Sequence, residues 1–203
     1  MCRLLSMNFF SSWDDGSRYD LKMANLLRKY NLTGTFFIPT NRELKVEDIV
    51  YLAQDFKIGA HTRSHPDDMK KLSFPAQVFE IASNKGFLEG LTGQKIEDFC
   101  YPSGRYSNKT IDAVKMCGFK TARTTLVGNI KKPNPFKIET TVHVYPNRKE
   151  YNRVNWLEYA KKKFDEAKHI DGYFHIWGHS EEVNRYGLWD ELEELFKYVY
   201  DKV

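Results

Sequence analysis

The chain predicts an α/β fold: one domain of about seven parallel strands with helices outside, closed or nearly closed into a barrel. Three observations predict it. Short apolar or β-branched runs alternate with stretches of helical periodicity almost throughout the 203 residues. No linker, internal repeat or low-complexity run interrupts them, so residues 1–203 read as a single domain. Four polar clusters each follow a strand-like run, where parallel α/β folds collect their chemistry. They are Trp13-Asp14-Asp15-Gly16, His61-Thr62-Arg63-Ser64-His65, Tyr101-Pro102-Ser103-Gly104 and Trp177-Gly178-His179.

The elements follow in order. Leu4 to Trp13 is an apolar run that stops at two aspartates, a buried strand. Tyr19 to Tyr30 carries Leu21, Met23, Ala24, Leu26 and Leu27 as a helical stripe, with Asn31 as its stop. Thr35 to Ile38 is a compact strand closed by Pro39. Val46 to Gln54 has helical spacing, and Lys57 to Ala60 is a third strand that delivers His61. Ser73 to Leu91 reads as a longer helix, with Ser73 as cap and Pro75 in the first turn. Asp98 to Tyr101 is a strand, and Asn108 to Cys117 is a helix ended by Gly118. Phe119 to Thr125 is strand-like, and Lys137 to Tyr145 alternates as a strand. Asn155 to His169 is a helix, Tyr173 to Trp177 a strand, and Leu188 to Tyr200 a last amphipathic helix. That count falls short of the eight units of a regular TIM barrel.

Composition narrows the partners. There are 31 basic and 27 acidic residues, net +4, and Lys161-Lys162-Lys163 is the one compact basic run. That run reads as a solvated helix face, so no nucleic-acid partner is expected. Aromatics are 15% of the chain, enough for a core and for stacking on sugar rings. Cys2, Cys100 and Cys117 are odd in number and widely spaced, without a disulfide framework or CxxC zinc pattern. A reducing compartment suits them. Met1 to Phe10 lacks the pattern of a signal peptide, no stretch is apolar enough for a membrane span, and a cytoplasmic location is expected.

The clusters suit a metal-dependent hydrolase. Asp14 and Asp15 face different sides if the strand continues through them, so one carboxylate can bind an ion while the other stays free as a base. Alone, the pair reads as a turn with a helix cap. His61 and His65 have the i, i+4 spacing with which two imidazoles reach one ion, a moderate signal raised by its place one unit after the aspartates. Tyr101 to Gly104 is a turn whose backbone N–H groups suit an oxyanion. Cys100 reads as a small buried hydrophobe. His179, at a strand exit, suits a general acid; His175 reads as a packed strand histidine. His143 and His169 have no comparable context, and Glu181 and Glu182 read as helix or loop acids.

This order of motifs resembles the polysaccharide deacetylase family, the chitin deacetylase-like or NodB-homology domain, from Ser12 to His179. The resemblance implies a distorted (β/α) barrel that removes N-acetyl, or less favourably O-acetyl, groups from an acetylated carbohydrate. It implies Asp14 as general base and His179 as general acid. Asp15, His61 and His65 would hold a divalent metal ion, Zn²⁺ foremost, with Co²⁺, Ni²⁺ and Mn²⁺ as alternatives. Ser103 and Tyr101 fall in the oxyanion and substrate loop, and Trp177 in the pocket for the acetyl methyl. The chain departs from the family pattern at Cys100, often an Arg, and at Ser103, often a Tyr. No Asp-x-Trp lies between Lys120 and Lys137. Lys137 or Arg105 is the expected substitute for the missing cation. The alternatives are a related hydrolase of non-sugar C–N bonds, in a ureide or cyclic imide, and a non-catalytic carbohydrate-binding relative.

Overall fold

The computed structural model describes residues 8–202. The start of the first expected strand, at Leu4, and Cys2 lie outside them. Seven strands form one sheet: β1 Asn8–Asp14, β2 Thr35–Ile38, β3 Lys57–Ala60, β4 Asp98–Cys100, β5 Thr121–Arg123, β6 Val142–His143 and β7 Tyr173–Gly178. Their order is β5-β4-β3-β2-β1-β7-β6, and every pairing is parallel. The two edge strands do not pair, so the expected barrel is a curled half-barrel.

The helices are α1 Asp20–Lys29, α2 Val46–Leu52, α3 Phe74–Thr92, α4 Asn108–Met116, α5 Trp156–His169, α6 Ser180–Arg185 and α7 Trp189–Lys202. Local chemistry fixes their ends. The Ser73 hydroxyl accepts from Ala76 N at 3.4 Å at the start of α3, Pro75 fills its first turn, and Gly93 at φ 68° stops it. Asn155 caps α5 through Leu157 N at 2.7 Å. Each helix turns its apolar stripe inward: Met23, Ala24 and Leu27 from α1, Leu192, Leu195, Phe196 and Val199 from α7, all fully buried. Among the described residues no helix is long and apolar enough to cross a membrane.

The expected strand over 137–145 shrinks to Val142–His143 for a physical reason. Its first part follows the β5 edge, where Ile138 N donates to Ala122 O at 2.9 Å and Thr124 N to Ile138 O at 2.8 Å. The chain then crosses the open side and joins the other edge, where Thr141 N donates to His175 O at 2.8 Å. Alternation alone does not distinguish one strand from a segment shared between two edges. A short helix, α6, directly follows His179 where the sequence suggested helix or loop acids.

Candidate active site

The polar clusters meet at the C-terminal ends of the strands. Asp14 closes β1 and is buried. Asp15 follows at φ 77° and Gly16 at φ 64°, and Asp15 N donates to Phe37 O at 3.1 Å. A Cβ at Gly16 would lie 3.1 Å from Ile38 Cγ2, so the turn needs glycine for space as well as conformation. The turn leaves Asp14 inside and brings Asp15 to the mouth, where its side chain is 46% exposed. Thr62, His65 and Ser103 also hold positive φ at strand ends, a concentration of backbone strain at one rim.

Asp15 Oδ1 lies 3.3 Å from His61 Nε2 and 3.4 Å from His65 Nε2. The ligand atoms of these three residues all lie within 4.8 Å of one another. The surroundings fit a divalent ion. His61 Nδ1 faces Cys100 O at 2.8 Å, and a carbonyl can only accept, so Nδ1 carries a proton; Nε2, turned to Asp15 and His65, is the nitrogen that would coordinate a bound ion and otherwise donates to Asp15. Burial would raise the Asp15 carboxyl, yet hydrogen bonding and the field of His61, with His179 and His65, hold it well below the usual carboxylate range. Burial opposes charge on His61, and Cys100 and Asp15 outweigh it upward; burial and the neighbouring His61 lower His65.

The cation beside Asp14 is Arg123, at the end of β5, and the expected substitutes are corrected accordingly. Arg105 is exposed and donates to the Asp67 carbonyl at 3.3 Å, and Lys137 is exposed. Arg123 and Asp14 side chains are 1% and 3% exposed, and Arg123 Nη2 is hydrogen-bonded to Asp14 Oδ2. The same nitrogen lies 2.9 Å from Cys100 Sγ, and Nη1 donates to Thr124 O at 3.0 Å. The guanidinium sits 4.6 Å from the Trp177 ring and 5.3 Å from Phe37. Asp14, His61 and Cys100 also lie close enough to share an ion, but Arg123 already occupies the Asp14 and Cys100 side of that space. The sequence alone did not mark Arg123: only the β4–β5 register sets it opposite Cys100, so a cation missing from β4 is supplied one strand over.

His179, the residue immediately before α6, lines a cleft of about 160 Å³ together with Asp14, Asp15, Ser17, Glu181, Glu182 and Arg185. Its Nε2 is 3.6 Å from Asp15 Oδ2, and its Nδ1 is 2.6 Å from Glu182 Oε2. Burial works against the His179 imidazolium, and the Glu182 hydrogen bond raises it overall. Burial works against the Glu182 carboxylate, and His143 and His179 bring it down to about 2. Glu182 thus stands beside the site, not on an open helix face; its i+3 spacing from His179 at a helix start was the available signal. His175 is buried inside the sheet, with Nε2 2.8 Å from Ser12 Oγ.

Not every candidate faces the cleft. Tyr101 is fully buried, its hydroxyl donating to Phe136 O at 3.0 Å and its ring stacked on Tyr106. Ser103 is exposed at φ 52°. Trp177 is 3% exposed and stacks on His143 at 3.9 Å. A larger cavity, about 500 Å³ and mostly apolar, lies at the opposite end around Phe10, Ile138 and Tyr173, away from these titratable groups.

A half-barrel with an Asp/His/His donor set at its mouth, a buried carboxylate and an opposed imidazole has the arrangement of a metal-dependent hydrolase site. Residues 8–122 match the polysaccharide deacetylase family model, and the chain belongs to that family. It is 28% identical over 124 residues to Bacillus subtilis YxkH, a match covering 58% of this chain and 44% of that protein. The chain thus spans less than half the length of this curated relative. Among solved structures, a Mycobacterium smegmatis protein superposes with TM-score 0.73 at 15% identity, covering 98% of this chain and 86% of that one. The Bacillus anthracis protein BA3943, described as a CE4 family pseudoenzyme, superposes with TM-score 0.64 at 15% identity, over 96% of this chain and 61% of that one.

Proposed function

We propose that this chain hydrolyses acetyl groups from a carbohydrate, N-acetyl in preference to O-acetyl, with residues 1–203 acting as one catalytic domain. One arrangement carries the reading: Asp15, His61 and His65 converge at the mouth, flanked by the Asp14 carboxylate and the His179 imidazole. These donors suit Zn²⁺, or Co²⁺, Ni²⁺ or Mn²⁺. A bound ion would polarise the acetyl carbonyl and acidify a water.

The chain's own residues do the rest. Arg123 occupies Oδ2 of Asp14, while Oδ1 has no partner among the described residues; Oδ1 therefore takes the water's proton. The Ser103 N–H donates to the developing oxyanion. His179, held at Nδ1 by Glu182, presents Nε2 to the cleft and protonates the leaving nitrogen. Trp177 walls the side where Arg123 and His143 stack. The substrate is an acetylated glycan, and a reducing compartment suits the free thiols Cys100 and Cys117.

A second reading is a non-catalytic relative. The departures at Cys100 and Ser103, and a pseudoenzyme with this fold, favour weighing it. Acetate release over chito-oligomers, acetylated nucleotide sugars and peptidoglycan fragments, with and without chelator, is the test. Chelator-sensitive acetate supports the first reading. Bound metal with no turnover on the panel supports the second, and cleavage of a ureide or cyclic imide alone points to a non-sugar C–N hydrolase.

A further inference from the structure

His143 stands outside every role assigned above, yet its surroundings are built. It ends β6 with its ring between two aromatic faces, Trp177 at 3.9 Å and 8° and Tyr145 at 5.3 Å and 9°. The stack fixes the ring plane. Its Nε2 is 3.2 Å from Glu182 Oε2, the oxygen that also meets His179 Nδ1. Its Nδ1 is 3.0 Å from Arg148 Nη1. Arg148 is aimed in turn by Glu150, through Nε to Oε2 and Nη2 to Oε1, both 3.2 Å.

His143, His179 and Glu182 also have the composition and spacing of a metal site. Arg148 decides against an ion there. A guanidinium has donors and no acceptor, so a neutral His143 must offer the Nδ1 lone pair to it. The ring proton then sits on Nε2, the nitrogen that would have to bind the metal. Nε2–H donates to Glu182, whose oxygen also accepts from His179 Nδ1–H. Each group in the line has its donor or acceptor role fixed by the one before it.

We infer that Arg148 and His143 are positioning residues: Arg148 sets the tautomer of His143, and His143 holds Glu182 so that His179 keeps its Nδ1–H tethered and its Nε2 toward Asp15. The catalytic part of this inference rests on His179 being the acid; the hydrogen-bond pattern does not. Side-chain ¹⁵N NMR of the histidine rings in wild type, Arg148→Met and Arg148→Lys tests the pattern without substrate. Wild-type His143 should be the Nε2–H tautomer, Arg148→Met should release it to a mixture, and Arg148→Lys, which keeps a donor, should restore much of it. If acetate release is established, Arg148→Met should lower kcat about tenfold with little change in KM, with Lys recovering part. A wild-type His143 protonated at Nδ1, or a second equivalent of Co²⁺ that shifts the His143 and His179 resonances, would overturn the inference in favour of a second metal site. A correct tautomer with unchanged kcat in Arg148→Met would overturn its catalytic part. Absence of turnover in wild type would count against the proposed function and leave the NMR result to decide the pattern.

Discussion

Replacing Arg123 by Met tests what holds Asp14 in place. The perturbation removes a cation whose side chain is 1% exposed from a carboxylate that is 3% exposed. Methionine follows the apolar stem between Phe37 and Trp177, so packing loss is small. What is lost is every polar contact of the guanidinium: Asp14 Oδ2, Cys100 Sγ and Thr124 O. Breaking a buried ion pair from one side costs roughly 3–5 kcal/mol, because the remaining charge stays buried and uncompensated. For a domain of this size that is a fall in Tm of about 6–20 °C. Urea unfolding followed by tryptophan fluorescence gives the free energy directly. Asp14→Asn combined with Arg123→Met removes both charges and should regain much of the loss, a coupling expected between contacting residues. A single variant that loses less than about 1 kcal/mol, or a double variant no more stable than Arg123→Met, would refute the argument that the pair is a closed electrostatic unit.

Three further outcomes are expected. His61→Ala and His65→Ala should each sharply reduce bound metal measured by elemental analysis of purified protein, and unchanged content in both would remove the site. Asp14→Asn should keep its metal and lose on the order of 10²–10⁴-fold in turnover, whereas Asp15→Asn should lose metal as well; the reversed pattern would exchange their roles. Asp20 is fully buried beside the Ser180 hydroxyl, and burial, with the nearby Asp14 and Asp15 carboxylates, pushes its carboxyl up from 3.8 to about 8. The folded state then holds this proton more tightly than the unfolded chain. Its contribution to stability is fully present below about pH 4, falls between about pH 4 and 8, and is level above. In metal-free protein, Asp20→Asn should therefore gain stability over wild type as pH rises from 4 to 8, by up to about 6 kcal/mol, and parallel pH profiles would show that Asp20 is not held neutral.

The fold was legible where periodicity and punctuation agree. The strands at Thr35–Ile38 and Lys57–Ala60 and the cap at Ser73 follow from apolar runs and from residues that satisfy helix-end N–H groups. Legibility failed where one segment serves two partners, as at 137–145, and where a helix is too short to show a period, as at Ser180–Arg185. Within the site, Asp15, His61 and His65 stood out because their spacing is local to strand ends. Arg123 and Glu182 did not, because their meaning lies in pairing across strands and in a turn of helix. Tyr101 shows another limit: the sequence placed it in the oxyanion and substrate loop through backbone groups, and said nothing of its ring, which packs into the core.

The place of β1 in the sheet has a consequence for how the molecule is made. β1 lies between β2 and β7, so the earliest described strand is completed by the last one. Ser12 and His175 hydrogen-bond across a separation of 163 residues. A nascent chain ending at residue 122, the span that matches the family model, already contains both aspartates, His61 and His65. It also leaves one edge of β1 bare, with unpaired backbone groups on an apolar strand. Closing that edge demands the least local pairing in the chain and carries the largest loop-closure cost. The same closure brings His179 to Asp15, so during synthesis the donor triad can gather first and the opposing imidazole arrives together with the seal of the core.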